Sequence, residues 1–127
     1  MAERYGGDFI ATVLEATSAI TAIVGSSIYE NVKIPTDDTS DDIINYYKTS
    51  HPGGIEWFEA RWSLNCRGAT YAESRDLATL CFDALNRFDS TVGGYKYFAV
   101  VDILTTIEPI NDTDNYNTPL SVYLRRR

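Results

Sequence analysis

At 127 residues the chain suits a single domain that hides roughly two-thirds of its unfolded surface. Its 44% hydrophobic and 23% charged residues match folded domains rather than disordered chains. A formal net charge of -7 argues against a surface that grips nucleic acid without regard to sequence, and no run approaches the ~18 apolar residues of a membrane span.

Met1 to Asp8 carry neither an arginine-rich run nor a long apolar core, so no signal peptide is expected and the chain reads as intracellular. From Asp8, a plausible N-cap, Phe9, Ile10, Val13 and Leu14 recur at helical spacing and predict an amphipathic helix of two or three turns. Thr17-Ser18 offers a fresh cap for a short second helix, Ala19 to Val24, which Gly25 stops. "SSIYENVKIP" then reads as extended, because Pro35 disfavours helix at Ile34 and the β-branched residues suit strand-like backbone.

"TDDTSDD", residues 36 to 42, has four aspartates and nothing apolar to bury, so it predicts a solvated loop. A calcium loop beginning at Asp37 would need glycine and glutamate where Asp42 and Lys48 stand, so no metal is expected there. "NDTDNYN", residues 111 to 117, fails the same test through Tyr116.

The turn punctuation "HPGG" divides "DIINYYKTS" from "IEWFEARWSLNCR", so residues 42 to 68 predict a β-hairpin. Its second strand alternates cleanly: Phe58, Ala60, Trp62, Leu64 and Cys66 share one face, and Glu59, Arg61, Ser63, Asn65 and Arg67 the other. One face meets a core and the other meets water or a partner.

Thr70 and Glu73 form a capping-box pattern, in which each side chain would serve the other residue's backbone amide. The stripe Leu77, Cys81, Ala84, Leu85 and Phe88 follows, which predicts a helix packed on a sheet. After the break at "TVGG", residues 95 to 108 read as one long strand, apolar on both faces and so central, or covered by a helix or a neighbouring subunit. "TPLSVYLRRR" predicts a final strand with a basic end. The whole, residues 1–127, reads as one α+β domain: an antiparallel, at most mixed, four-stranded sheet with helices on one face, in the order α-α-β-β-α-β-β.

Chemistry is sparse. His51 stands alone at a hairpin tip, where a general base would lack an oriented partner. Cys66 and Cys81 are too few for a zinc motif and read as buried thiols. Glu56 and Glu59 would project to opposite strand faces, and Asp41 and Asp42 sit in a hydrophilic loop, so neither pair suggests an acid/base dyad. No phosphate-binding, dinucleotide-binding, hydrolase or metalloprotease motif occurs, so no catalytic, metal or cofactor-binding residue is nominated and the chain is expected not to be an enzyme.

Nine tyrosines suit either sheet packing or a protein contact surface, and both readings stay open. The arginines at 61, 67, 75 and 125 to 127 are either solubilising edge residues or salt-bridge donors across a subunit boundary. Strand-face alternation selects Arg61, Arg67, Tyr97, Tyr123 and Arg125 as candidate interface residues.

Two stretches resemble a phage family. "FIATVLEATSAITAIVGSSIYENVKIP" looks like the N-terminal signature of the tail-completion, or tail-terminator, proteins of long-tailed phages: helix, small-polar break, "AIVG" stop, then "IY" and a proline. "EARWSLNCRGATYAESRDLATLCFDAL" is similar to their second half, an alternating strand running into a "TYAES-R-x-LA" helix. The acidic stretch 36 to 42 and the terminal Arg125-Arg126-Arg127 depart from the pattern.

The resemblance implies a non-enzymatic virion component of the tail neck, assembled in the host cytoplasm. It would form a ring of copies, usually a homohexamer, on the head-proximal end of the tail tube. That ring would stop tube growth, contact the tail-tube protein and a head connector or adaptor, and pass DNA without specific binding. It implies no cofactor and no membrane partner. The alternatives weighed against it are another neck part, such as a head-closure or adaptor protein, and a small α+β interaction module.

Overall fold

The computed structural model describes residues 6–50, 60–109 and 115–126. The apolar spacing of the first helical stretch produces α1, Gly7–Ala16, whose Phe9, Ile10, Val13 and Leu14 are buried. Gly6 rather than Asp8 is the N-cap, at φ 91°, a left-handed conformation in which a Cβ would also strike Leu124 at 2.1 Å. α2, Ser18–Val24, follows at once, its axis turned by 88° from that of α1. Thr17 stands at the joint without the expected side-chain cap; its hydroxyl donates back to the Val13 carbonyl at 2.8 Å. No single described helix is long and apolar enough to cross a membrane.

The strands are β1, Ile28–Glu30; β2, Ile43–Ser50; β3, Ala60–Gly68; β4, Asp89–Val92; β5, Tyr95–Ile103; and β6, Tyr116–Arg126, with α3, Tyr71–Leu85, between β3 and β4. They form one six-stranded mixed sheet in the order β1-β2-β3-β6-β5-β4, which corrects the expected four strands while leaving the class α+β. Only β1 and β2 run parallel. The two unexpected strands are the edges. β1 has three residues and β4 is the mostly polar "DSTV", so neither carries enough alternation to stand out.

The predicted hairpin of residues 42 to 68 is the antiparallel pair of β2 and β3, registered from Ile43↔Arg67 to Ser50↔Arg61. Its "HPGG" turn with His51, together with Glu56, Trp57, Phe58 and Glu59, lies outside the described residues, as do residues 110–114 of the second acidic loop and Arg127. The expected long strand of residues 95 to 108 ends at Ile103, and beyond it only Ile107 makes an isolated bridge, to Asn117. β6 runs through the middle of the sheet, between β3 and β5, despite containing Pro119. That position is tolerated because the Pro119 carbonyl takes the Leu104 amide at 2.9 Å, so the missing N–H falls on the side where β5 has already ended.

The three described helices lie on one face of the sheet. α3 packs along β3, β6 and β5, and α1 lies against α2, α3 and β4. Beneath them Ile44, Trp62, Leu64, Leu120, Val122, Leu124, Ala99 and Val101 interlock with Phe9, Leu14, Leu77 and Leu85 in one core. The Thr70 side chain accepts from the Glu73 amide at 3.1 Å as predicted. The return half of the box differs: the Glu73 carboxylate takes the Thr70 hydroxyl, at 3.4 Å, instead of the amide.

α3 approaches the sheet closely at this end because Gly68 has no side chain; a Cβ there would stand 2.7 Å from the Ser74 backbone nitrogen. The close approach lets the buried Ser74 hydroxyl reach both the Cys66 carbonyl and the Thr118 hydroxyl at 2.8 Å. Cys66 and Cys81 are both fully buried free thiols, their sulfurs 3.7 Å apart between β3 and α3.

Candidate protein interface

Among the described residues every helix lies on one side of the sheet and none covers the other side. The two-residue period of the strands decides what it carries: Asn45 and Tyr47 from β2; Arg61, Ser63, Asn65 and Arg67 from β3; Asn117, Ser121, Tyr123 and Arg125 from β6; Lys96, Phe98, Val100 and Asp102 from β5. This open face is a mosaic of amides, hydroxyls, guanidinium groups and aromatic rings.

Its geometry is fixed by cross-strand pairs. Arg61 is registered opposite Tyr123, and its guanidinium carbon lies 5.5 Å from that ring's centroid while one terminal nitrogen donates to the Ser121 hydroxyl at 3.1 Å. Arg125, opposite Phe98, is likewise 5.5 Å from the Phe98 centroid. The ring beside each guanidinium limits its freedom, which lowers the entropy lost when it meets a partner. Among the described residues neither arginine is ion-paired, and Arg125 Nε is buried with no hydrogen-bond acceptor. A shallow depression of about 70 Å³ beside Arg125 is walled by Asp89, Lys96, Tyr97 and Phe98.

Toward the β1 edge the face turns into an amide network. Arg67 Nε donates to Asn45 Oδ1 at 3.0 Å, and Asn45 Nδ2 donates to the carbonyls of Asn31 and Val32 at 3.1 and 3.3 Å. Asn117 Nδ2 donates to Asn65 Oδ1 at 3.0 Å, leaving Asn65 Nδ2 and Asn117 Oδ1 buried without partners among the described residues.

Arg67 also borders an open groove of about 650 Å³ whose walls include Pro35, Asp38, Asp41 and Asn115. The acidic stretch beside it is organised rather than merely solvated. Asp38 accepts from the hydroxyls of Tyr29 and of Ser27, the latter at 2.8 Å, and from the Ser40 amide at 2.9 Å. Those donors, Tyr29 first, hold the Asp38 carboxyl well below its usual range, and the same contact raises the Tyr29 phenol. Asp42 goes the other way: desolvation, then the Glu73 and Asp41 carboxylates, push it up. Among the described residues no group of three or more His, Cys, Asp or Glu side chains is placed to hold a metal.

Of the five candidate interface residues, Arg61, Arg67, Tyr123 and Arg125 share the open face. Tyr97 does not. It is 4% exposed and turned to the helix side, where its ring centroid lies 5.3 Å from that of Phe9, so it is a core residue. The reason is parity: Tyr97 falls in step with the buried Ala99 and Val101, and α1 supplies the ring that covers it. Asn45, Asn65, Asn117 and Phe98 were not singled out from sequence. The polar alternation of β3 carried the signal for Asn65; the others became visible only once the strand neighbours were known.

No protein-family model and no curated protein matches the sequence. Among solved structures, the chain is similar to a chain in the virion of a native gene transfer agent particle. The TM-score is 0.69 at 15% sequence identity, over 92% of this chain and 90% of that one, a likeness of fold.

Proposed function

We propose that the chain is a structural, non-enzymatic subunit of a phage-like virion, a tail terminator. It closes into a ring, usually of six copies in the phage proteins it resembles, on the head-proximal end of the tail tube, and offers its other side to a head connector or adaptor. The observation that carries this reading is the fold likeness, over about nine-tenths of both chains, to a chain of a gene transfer agent virion. The sequence resemblance of residues 9 to 35 and 59 to 85 to tail-completion proteins favours the terminator among virion parts.

The physics of the layer fits. A ring is built from a head-to-tail contact between two different surfaces of one chain, and a layer with helices on one side and an open sheet on the other has two such surfaces. A net charge of -7 also suits a collar around passing DNA that must not hold it.

The test is to add purified protein to tail tubes and follow mass and electron micrographs. Expected are rings at one tube end and an arrest of tube lengthening. A protein that stays monomeric with tubes present and leaves their length uncontrolled refutes the reading.

A further inference from the structure

Among the described residues the charges of the helices and of the open sheet face differ in sign. α1, α2 and α3 together carry five acidic residues, Asp8, Glu15, Glu73, Asp76 and Asp83, against the single basic Arg75. Arg75 is half-buried, with one terminal nitrogen donating to the Leu104 carbonyl at 3.2 Å. Among the described residues the open sheet face has the opposite balance: Arg61, Arg67, Lys96 and Arg125 against Asp89 and Asp102. In a chain of net charge -7, a cationic face on the side away from the helices is a local arrangement and not a consequence of composition.

We infer that the open sheet face of one copy docks on the outer stripe of α3 of the next copy, with Arg61 and Arg125 pairing with Asp76 and Asp83. This deepens the ring reading above and rests on it for the partner, a second copy of the chain.

Spacing supports the match. Asp76 and Asp83 are both exposed and seven residues apart on one helix, so their Cα atoms are separated by about two turns, ~10 Å. Arg61 and Arg125 lie on adjacent strands, offset by two residues from the register pair Arg61↔Tyr123, which places their Cα atoms ~8 Å apart. The ~2 Å difference is within the sweep of two arginine side chains. Thr79, with its small side chain, is exposed between the aspartates. The contact joins unlike surfaces, so it repeats head to tail and closes a ring when the rotation per copy allows.

Two charge-reversed chains test this. Variant A carries Arg61→Glu and Arg125→Glu; variant B carries Asp76→Arg and Asp83→Arg. All four sites are at or near the surface, and circular dichroism checks that each variant is folded. In A both docking surfaces are acidic and in B both are basic, so each alone should associate at least ~10-fold more weakly than wild type, by sedimentation and on tube ends. Mixed one to one, A meets B attractively through both surfaces, and assembly should return as an alternating A–B array.

The neutral pair Arg61→Gln and Arg125→Gln should fall between wild type and A, and replaces A if A does not fold. Variants that assemble alone as wild type does, or a folded mixture that stays monomeric in solution and on tubes, overturn the inference. Wild-type rings on tubes in that same series would leave the terminator reading standing and remove only this surface. Absence of wild-type association under both conditions removes both.

Discussion

Gly68→Ala is the sharpest test of how α3 is seated. The added Cβ would lie 2.7 Å from the Ser74 backbone nitrogen and 3.0 Å from the Glu73 carbonyl carbon, both helix backbone that cannot swing aside as a side-chain tip can. Restoring ordinary contact means lifting the first turn of α3 by about 1 Å, and such overpacking costs ~1–3 kcal/mol. The lift stretches the two 2.8 Å hydrogen bonds of the Ser74 hydroxyl, each contributing ~0.5–1.5 kcal/mol.

Against this, alanine restricts the unfolded chain and returns ~0.4–1 kcal/mol. The net expectation is a loss of ~2–3 kcal/mol, a fall in Tm on the order of 10 °C. Urea unfolding should show a lower midpoint with an unchanged slope. The double variant Gly68→Ala with Ser74→Ala should lose less than the sum of the single losses, because both act on the same hydrogen bonds. A single-variant loss below ~0.5 kcal/mol, or strict additivity in the double variant, would refute the reasoning.

Thr70→Ala should cost about 1 kcal/mol in urea unfolding, since it removes the acceptor of the Glu73 amide. Asp42→Asn should stabilise the protein at neutral pH. A carboxyl held above its unfolded value penalises the fold while ionised, so the penalty is full at pH 7 and gone below the unfolded value of ~3.9. The advantage of Asp42→Asn over wild type, followed by thermal melts against pH, should therefore shrink as pH falls. Cys66 and Cys81 should resist alkylation at pH 8 in the native protein and react together on unfolding, because both thiols are fully buried and burial pushes the Cys66 thiol up.

Local pattern carried much of the fold. β3 and α3 were readable because each buries one face against one layer, so their periods of two and 3.6 survive intact in the sequence. The cap at Thr70 is local chemistry and was readable for the same reason. The edge strands were not, because a strand held mostly by backbone pairing needs no apolar alternation of its own. β1 is recruited by a parallel neighbour about 16 residues on, and β4 by the tight Gly93-Gly94 hairpin.

The candidate interface was legible in part. Alternation placed Arg61, Arg67, Tyr123 and Arg125 on one face, but the same rule could not say which face of β5 the helices would cover, and Tyr97 fell on the covered side. The aromatic platforms under Arg61 and Arg125 depend on register between strands distant in sequence, which no local spacing reveals.

The central position of β6 makes closure of the sheet a contact between residues far apart in sequence. β6 is the one strand that β3 and β5 share as a neighbour, so the ladder across the described sheet is complete only with residues 116–126 between them, although α3 touches both. The pairing of β3 with β6 closes a loop of about fifty residues, the kind of distant contact whose entropic cost slows folding. Without β6, β3 and β5 would each present a bare edge, so weakening residues 116–126 would expose two strand edges to pairing with other chains.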